Sequence, residues 1–271
     1  MAAIDQRPET LRVKVKLVLE RWSAASEEQS DITSRPKIHP AHLLTVWGLT
    51  AHVFNQGRFL FPHLGVTGLE IAPIVRSQFE TALTVQWIVL RGPKALPGFL
   101  NEGVRQRVNL GRSMQQAGWG GTSPELIERL AAERVPSEGL DDQAKNLLRM
   151  VECFKGHESL YALYRFMSGL SHPSASVVDE YANQTEGPGL GVELMREAQS
   201  LGQMPWEWSV LCSLVWAGRA LDYISHESPD RHFYNSVARE AGMGSAMLQL
   251  TPPAAAAAFV DQYNAGRRRR E

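Results

Sequence analysis

Apolar residues recur at helical spacing along most of the 271-residue chain, and no convincing pair of alternating strands stands out. In residues 9–30, Leu11, Val15, Val18 and Trp22 form a helical stripe. Leu11, Val13, Val15, Leu17 and Leu19 also alternate as a strand would, but Pro8 and Glu9 suit a first helical turn, so helix is the expectation. The segment SRPKIHP reads as a linker. From Pro40 to about Arg58, Leu43, Leu44, Val46, Trp47, Leu49, Val53 and Phe54 make a helix apolar around most of its circumference, which predicts a central position. Gly57, Pro62, Gly65 and Gly68 break it. A second central helix is predicted from Leu69 or Pro73 to Arg91, with Thr67 and Glu70 spaced as a capping box and Gly92-Pro93 as its end.

Further helices are expected over Phe99–Ala117, from Ser123-Pro124 to about Arg134, and over Asp141–Lys155, the last with Leu147, Leu148, Val151 and Phe154 as its stripe. Gly156 separates that helix from GHESLYALYRFMSGLSHP, which Pro173 stops. Residues 174–204, with the turn EGPGLG, predict a long loop lying over the His172 end and a short helix around Val192–Gln199. The aromatic helix Pro205–His226 and a short helix over Asp230–Glu240 complete the order. The pattern predicts an all-α bundle of about seven to eight helices. It reads as a single domain over 1–250 with its core at about 40–225, followed by an Ala-rich tail at 251–271, ending in Arg267–Arg270, that is expected to be disordered.

Charge narrows the functional classes. With 28 Lys and Arg against 29 Asp and Glu, the net charge is −1, so bulk charge cannot drive nucleic-acid binding; local basic patches remain open. Ile71–Leu90 and Pro205–Ile224 are apolar enough to test as membrane spans. The first holds Arg76 and Glu80, the second Glu207, Arg219 and Asp222, and such charge density predicts buried helices with no membrane partner. Cys153 and Cys212 are far apart and no signal-peptide pattern precedes them, which predicts reduced core thiols and a cytoplasmic setting. No GxxxxGK[ST] loop, CxxC pair or GxSxG elbow occurs, and no cofactor is implied. His39 and His42 have an H-x-x-H spacing but no carboxylate or thiol partner nearby, so they are expected to be core or surface histidines and no metal is assigned. Helical spacing likewise assigns Trp206, Trp208, Trp216 and Tyr223 to core or an interface before any base-stacking groove.

The stretch with the most chemistry is the helix before Pro173. Tyr161, Arg165, Ser168 and His172 share one face, Ser171 and Tyr164 lie beside it, and Leu160, Leu163, Phe166, Met167 and Leu170 form the opposite, docking face. At the last turn a protonated imidazole is favoured by the helix dipole by roughly 0.3–1 kcal/mol, which predicts a positive Arg165–His172 pair. The two side chains are separated by about 10 Å along the axis, and Arg165 leans away from His172, so a phosphate or a second subunit is needed to join them. Arg76 and Glu80 are the only charges between Ile71 and Leu90. Buried charges need partners, so at least one is expected to reach this helix, with Glu80 to Arg165 or His172 as the expected contact.

The segment RFMSGLSH resembles the R-x(4–6)-H motif of HEPN domains, helical bundles that form ribonuclease centres across a dimer. The chain departs from that pattern at Phe166, where HEPN nucleases place a polar residue. It also resembles, over residues 40–225, a helical family of unassigned function marked by an Arg and a Glu on an early helix and a Tyr-Arg-x-x-Ser-x-x-x-His stretch, here Arg76, Glu80, Tyr164, Arg165, Ser168 and His172. The HEPN resemblance implies a homodimer acting on RNA without metal, in a defence or toxin role. Arg165, His172 and Glu80 would then be catalytic, and Arg76, Tyr164, Ser168 and Ser171 would bind substrate. The alternative is a non-catalytic helical module whose Arg/Glu/His cluster fixes packing or binds a small anion or a protein partner.

Overall fold

The structure is a computed structural model and describes residues 7–28, 33–36, 38–65, 68–137, 139–185, 191–198, 206–226 and 228–252. The chain is all-α with one small ribbon: α1 (Pro8–Glu28), α2 (Pro40–Leu60), α3 (Ala72–Arg91), α4 (Ala95–Gln116), α5 (Pro124–Ala132), α6 (Asp141–Lys145), α7 (Leu147–Val151), α8 (His157–Ser171), α9 (Ala175–Asp179), β1 (Ala182–Thr185), β2 (Gly191–Leu194), α10 (Trp206–Ile224) and α11 (Arg231–Glu240). Among the described residues no helix is long and apolar enough to cross a membrane. Two compact units form, residues 1–86 with 156–248 and residues 87–155 with 249–271. The sequence pattern does not mark this division, because it falls inside the continuous helix α3.

In the first unit α10 is the most deeply placed helix. Nearly every residue from Trp206 to Ile224 is buried, and it packs against α1, α2 and α11. Two of its buried charges pair within the helix: Arg219 donates to Asp222 at 3.0 Å. By contrast α2 is one-sided, with His42, Val46, Thr50, Val53, Phe54, Gly57 and Leu60 buried and Leu44 exposed, so the central position expected of a helix apolar around most of its circumference is corrected. Trp22 of α1 stacks on Phe54 of α2 with ring centroids 4.2 Å apart. Two buried amides tie α3 into this core: Gln78 donates to the Val53 carbonyl at 3.0 Å and Gln86 to that of Trp216 at 2.7 Å. Helix contacts here are close enough to need glycine. A Cβ on Gly218 would sit 2.4 Å from the Tyr234 side chain of α11.

Pro73 sits in the first turn of α3 and Pro97 in that of α4, where the amide a proline lacks has no intrahelical partner. That is why α4 starts before the predicted Phe99. The predicted capping residue Thr67 and residues 253–271, which hold the alanine run and Arg267–Arg270, lie outside the described residues.

In the second unit Val104, Val108 and Ile127 form a small core between α4 and α5. The helix expected over Asp141–Lys155 is interrupted. Asn146 turns extended (φ −130°, ψ 112°) and its side chain accepts from the Leu148 amide, starting α7 afresh. Beyond α7 the backbone pairs with residues 249–251 instead of continuing as helix: Lys155 N–H donates to Gln249 O and Thr251 N–H to Cys153 O, both at 2.8 Å.

The segment after His172 also differs from expectation. β1 and β2 pair antiparallel, Ala182 opposite Leu194 and Thr185 opposite Gly191, where a loop and a helix around Val192–Gln199 were predicted. Val192 and Leu194 are exposed, so no apolar face was available to hold a helix there.

Candidate functional site

The site is a crossing between α3 and α8 within the first unit, organised by Arg76. Its Nε donates to Glu80 Oε1 at 2.8 Å, one Nη to His172 Nε2 at 2.5 Å, and the other to the Tyr164 hydroxyl at 3.1 Å. Its guanidinium carbon also lies 5.2 Å from the centroid of the Tyr164 ring, within cation–π range. Arg76 and Glu80 form an i,i+4 pair with side chains 20% and 35% exposed, so the pair is shielded without being sealed from water. The charge that crosses to α8 is therefore Arg76, whose long forked side chain can serve three partners, while the Glu80 carboxylate holds it from one turn away.

In this contact the guanidinium can only donate, so His172 Nε2 is the acceptor. His172 is not in the last helical turn. It follows Ser171 as the C-cap with φ −124° and ψ 152°. Pro173 imposes this, since the residue before a proline is driven out of the helical region. The carbonyls at this helix end are satisfied by hydroxyls instead: Ser171 donates to Met167 O at 2.6 Å and Ser174 to Gly169 O at 2.7 Å. Ser171, expected at the substrate, is engaged with its own helix.

The other predicted residues spread around this crossing. Arg165 and His172 are exposed, and Tyr161, Tyr164 and Ser168 are half-buried. Tyr161 and Tyr164 rings lie 5.9 Å apart and tilted. The docking face of α8 is narrower than predicted: Leu160, Met167 and Leu170 are buried, whereas Phe166 is 42% exposed at the edge near Trp206. Chain order alone could not reveal Arg76 as the hub. The available signal was the one cation between Ile71 and Leu90, four residues before the one carboxylate of that stretch.

The remaining candidates have structural positions. His39 caps α2, its Nδ1 accepting from the Ala41 amide at 3.2 Å. His42 is buried, and burial pulls its imidazole below the usual range. Among the described residues no group of three or more His, Cys, Asp or Glu side chains could hold a metal ion. Trp206 and Trp216 are core, and Tyr223 is 43% exposed between Arg35 and Arg219. Burial pushes the thiols of both Cys153 and Cys212 up, opposing thiolate chemistry. Comparison with models of protein families, with curated proteins and with solved structures gave no match to this chain.

Proposed function

We propose that the α3–α8 crossing is the centre of a HEPN-like endoribonuclease that cleaves RNA without metal. One observation carries this reading: an exposed imidazole presents a lone pair whose hydrogen-bond partner, Arg76, is a cation suited to phosphate. When a scissile phosphate takes over the Arg76 donor, His172 Nε2 is released as a base. It removes the 2′-hydroxyl proton, the 2′-oxygen attacks phosphorus, and the 5′-oxygen leaves with the proton returned by the imidazolium. The products are a 2′,3′-cyclic phosphate and a 5′-hydroxyl. Proton transfer of this kind contributes typically ~10²–10⁴-fold. Arg165, exposed on the same helix, adds a second phosphate contact, and Glu80 acts as a positioning residue by holding Arg76. A second copy of the chain supplies the rest of the RNA-binding surface.

A second reading is favoured by the saturation of Arg76, which has a partner in each of three directions. In it the cluster is a non-catalytic clip between two helices. The two readings separate when EDTA-treated wild type and His172→Ala are incubated with a mixed RNA pool and their melting temperatures compared. Cleavage by wild type alone, leaving cyclic phosphate ends, at melting temperatures within a few degrees, is the expected result. Absence of cleavage by the wild type refutes the nuclease and leaves the clip.

A further inference from the structure

The second unit contains a separate charged cavity. It has a volume of about 210 Å³ and is lined by Asn101, Glu102, Arg105, Arg134, Asp141 and Lys145. Both carboxylates already accept side-chain hydrogen bonds. Glu102 receives two bonds from Arg105, each 2.6 Å, and one from Gln106 at 2.9 Å. Asp141 receives the Ser137 hydroxyl and, at 3.0 Å, the Asn101 amide. Arg105 and the Ser137 hydroxyl respectively hold the Glu102 and Asp141 carboxyls below the usual range, so both stay ionised at neutral pH.

The cations are not balanced in the same way. Arg105 is committed to Glu102, whereas among the described residues Arg134 and Lys145 make no hydrogen bond or ion pair and act on the Asp141 and Glu102 carboxylates, respectively, only through longer-range charge. With three cations against two anions the lining has a formal charge of +1, and the two cations without a hydrogen bond belong to different elements, one just beyond α5 and one at the end of α6. We infer that this cavity is a binding site for a small phosphate monoester, its phosphoryl group held by Arg134 and Lys145. Arg134 offers a planar fork that matches an oxyanion, and Lys145 adds a point charge. The volume lies below the ~300–1,000 Å³ typical of drug-sized ligands, which limits the alcohol half to a few atoms.

The test uses the full chain and calorimetric titration at constant ionic strength with glycerol 3-phosphate, inorganic phosphate and glycerol. Saturable binding of the ester is expected, with glycerol silent. Arg134→Gln combined with Lys145→Gln should weaken binding at least tenfold, and Lys16→Gln, an equal type of charge removal on α1, should leave it unchanged. Both mutated side chains are exposed, so the double variant is expected to fold, and an unchanged circular dichroism spectrum checks this. Inorganic phosphate binding as tightly as the ester places recognition in the phosphoryl group alone; tighter binding of the ester adds its hydroxyls, and both outcomes support the site. No saturable binding of the ester, or binding that survives in the double variant, overturns it.

Discussion

Truncating Arg76 to alanine removes three hydrogen bonds and one cation–π contact in a single step. In a sealed interior each charge-assisted bond would contribute ~1.5–3 kcal/mol. Here the abandoned partners can rehydrate, because the Glu80 side chain is 35% exposed and His172 is exposed. A discounted figure of ~0.5–1 kcal/mol for each bond is appropriate, with a similar amount for the Tyr164 ring. The expected loss is therefore roughly 2–4 kcal/mol. Arg76→Lys keeps the charge but loses the fork, and an ammonium cannot reach all three partners, so about half of that loss is expected. Urea unfolding followed by both tryptophan fluorescence and far-UV circular dichroism measures the difference, with coincident transitions as the check that one process is being observed. Faster hydrogen exchange in α8 should accompany it. An Arg76→Ala protein within about 0.5 kcal/mol of wild type, or an Arg76→Lys protein equal to wild type, would refute the assignment of Arg76 as the hub.

Two further perturbations test the packing and the buried imidazole. Gly218→Ala places a methyl 2.4 Å from Tyr234 and should cost ~1–3 kcal/mol by overpacking, whereas Gly48→Ala on α2 meets nothing within 4 Å and should be neutral or stabilising by up to ~1 kcal/mol; urea midpoints of the pair decide it. Burial lowers the folded-state pKa of His42, so below about pH 6.5 the unfolded chain binds the proton first. The contribution of this group is fully present above that pH and is lost as pH falls toward the folded-state value. His42→Leu should accordingly show a shallower loss of stability than wild type between pH 6.5 and 5, and parallel pH profiles for the two proteins would contradict the assignment.

Local chemistry in the chain predicts where the helices of this protein begin and end. Pro8, Pro40 and Pro124 open helices, Gly156 separates two of them with φ +76°, and Pro173 ends α8. Each acts within a few residues of itself, so one-dimensional reasoning reaches it. The all-α class follows from the 3.6-residue period of the apolar stripes, and the importance of Arg76, Glu80, Tyr164 and His172 follows from charge or hydroxyl chemistry placed on otherwise apolar helices.

Only the tertiary structure decided who meets whom. α10, not α2, became the most buried helix, since burial depends on how many neighbours cover a face as well as on its hydropathy. The helix expected over Asp141–Lys155 broke at Asn146, and beyond α7 residues 249–251, about a hundred positions away, are the backbone partners of Cys153 and Lys155. His172 met its partner because a guanidinium 96 residues earlier in the chain reached its Nε2. The cavity at Arg134 and Lys145 likewise depends on how α4, the end of α5 and α6 converge. The sequence by itself determined the helices, their caps and which residues could do chemistry; contacts between distant positions, which no local pattern encodes, determined the partner of each.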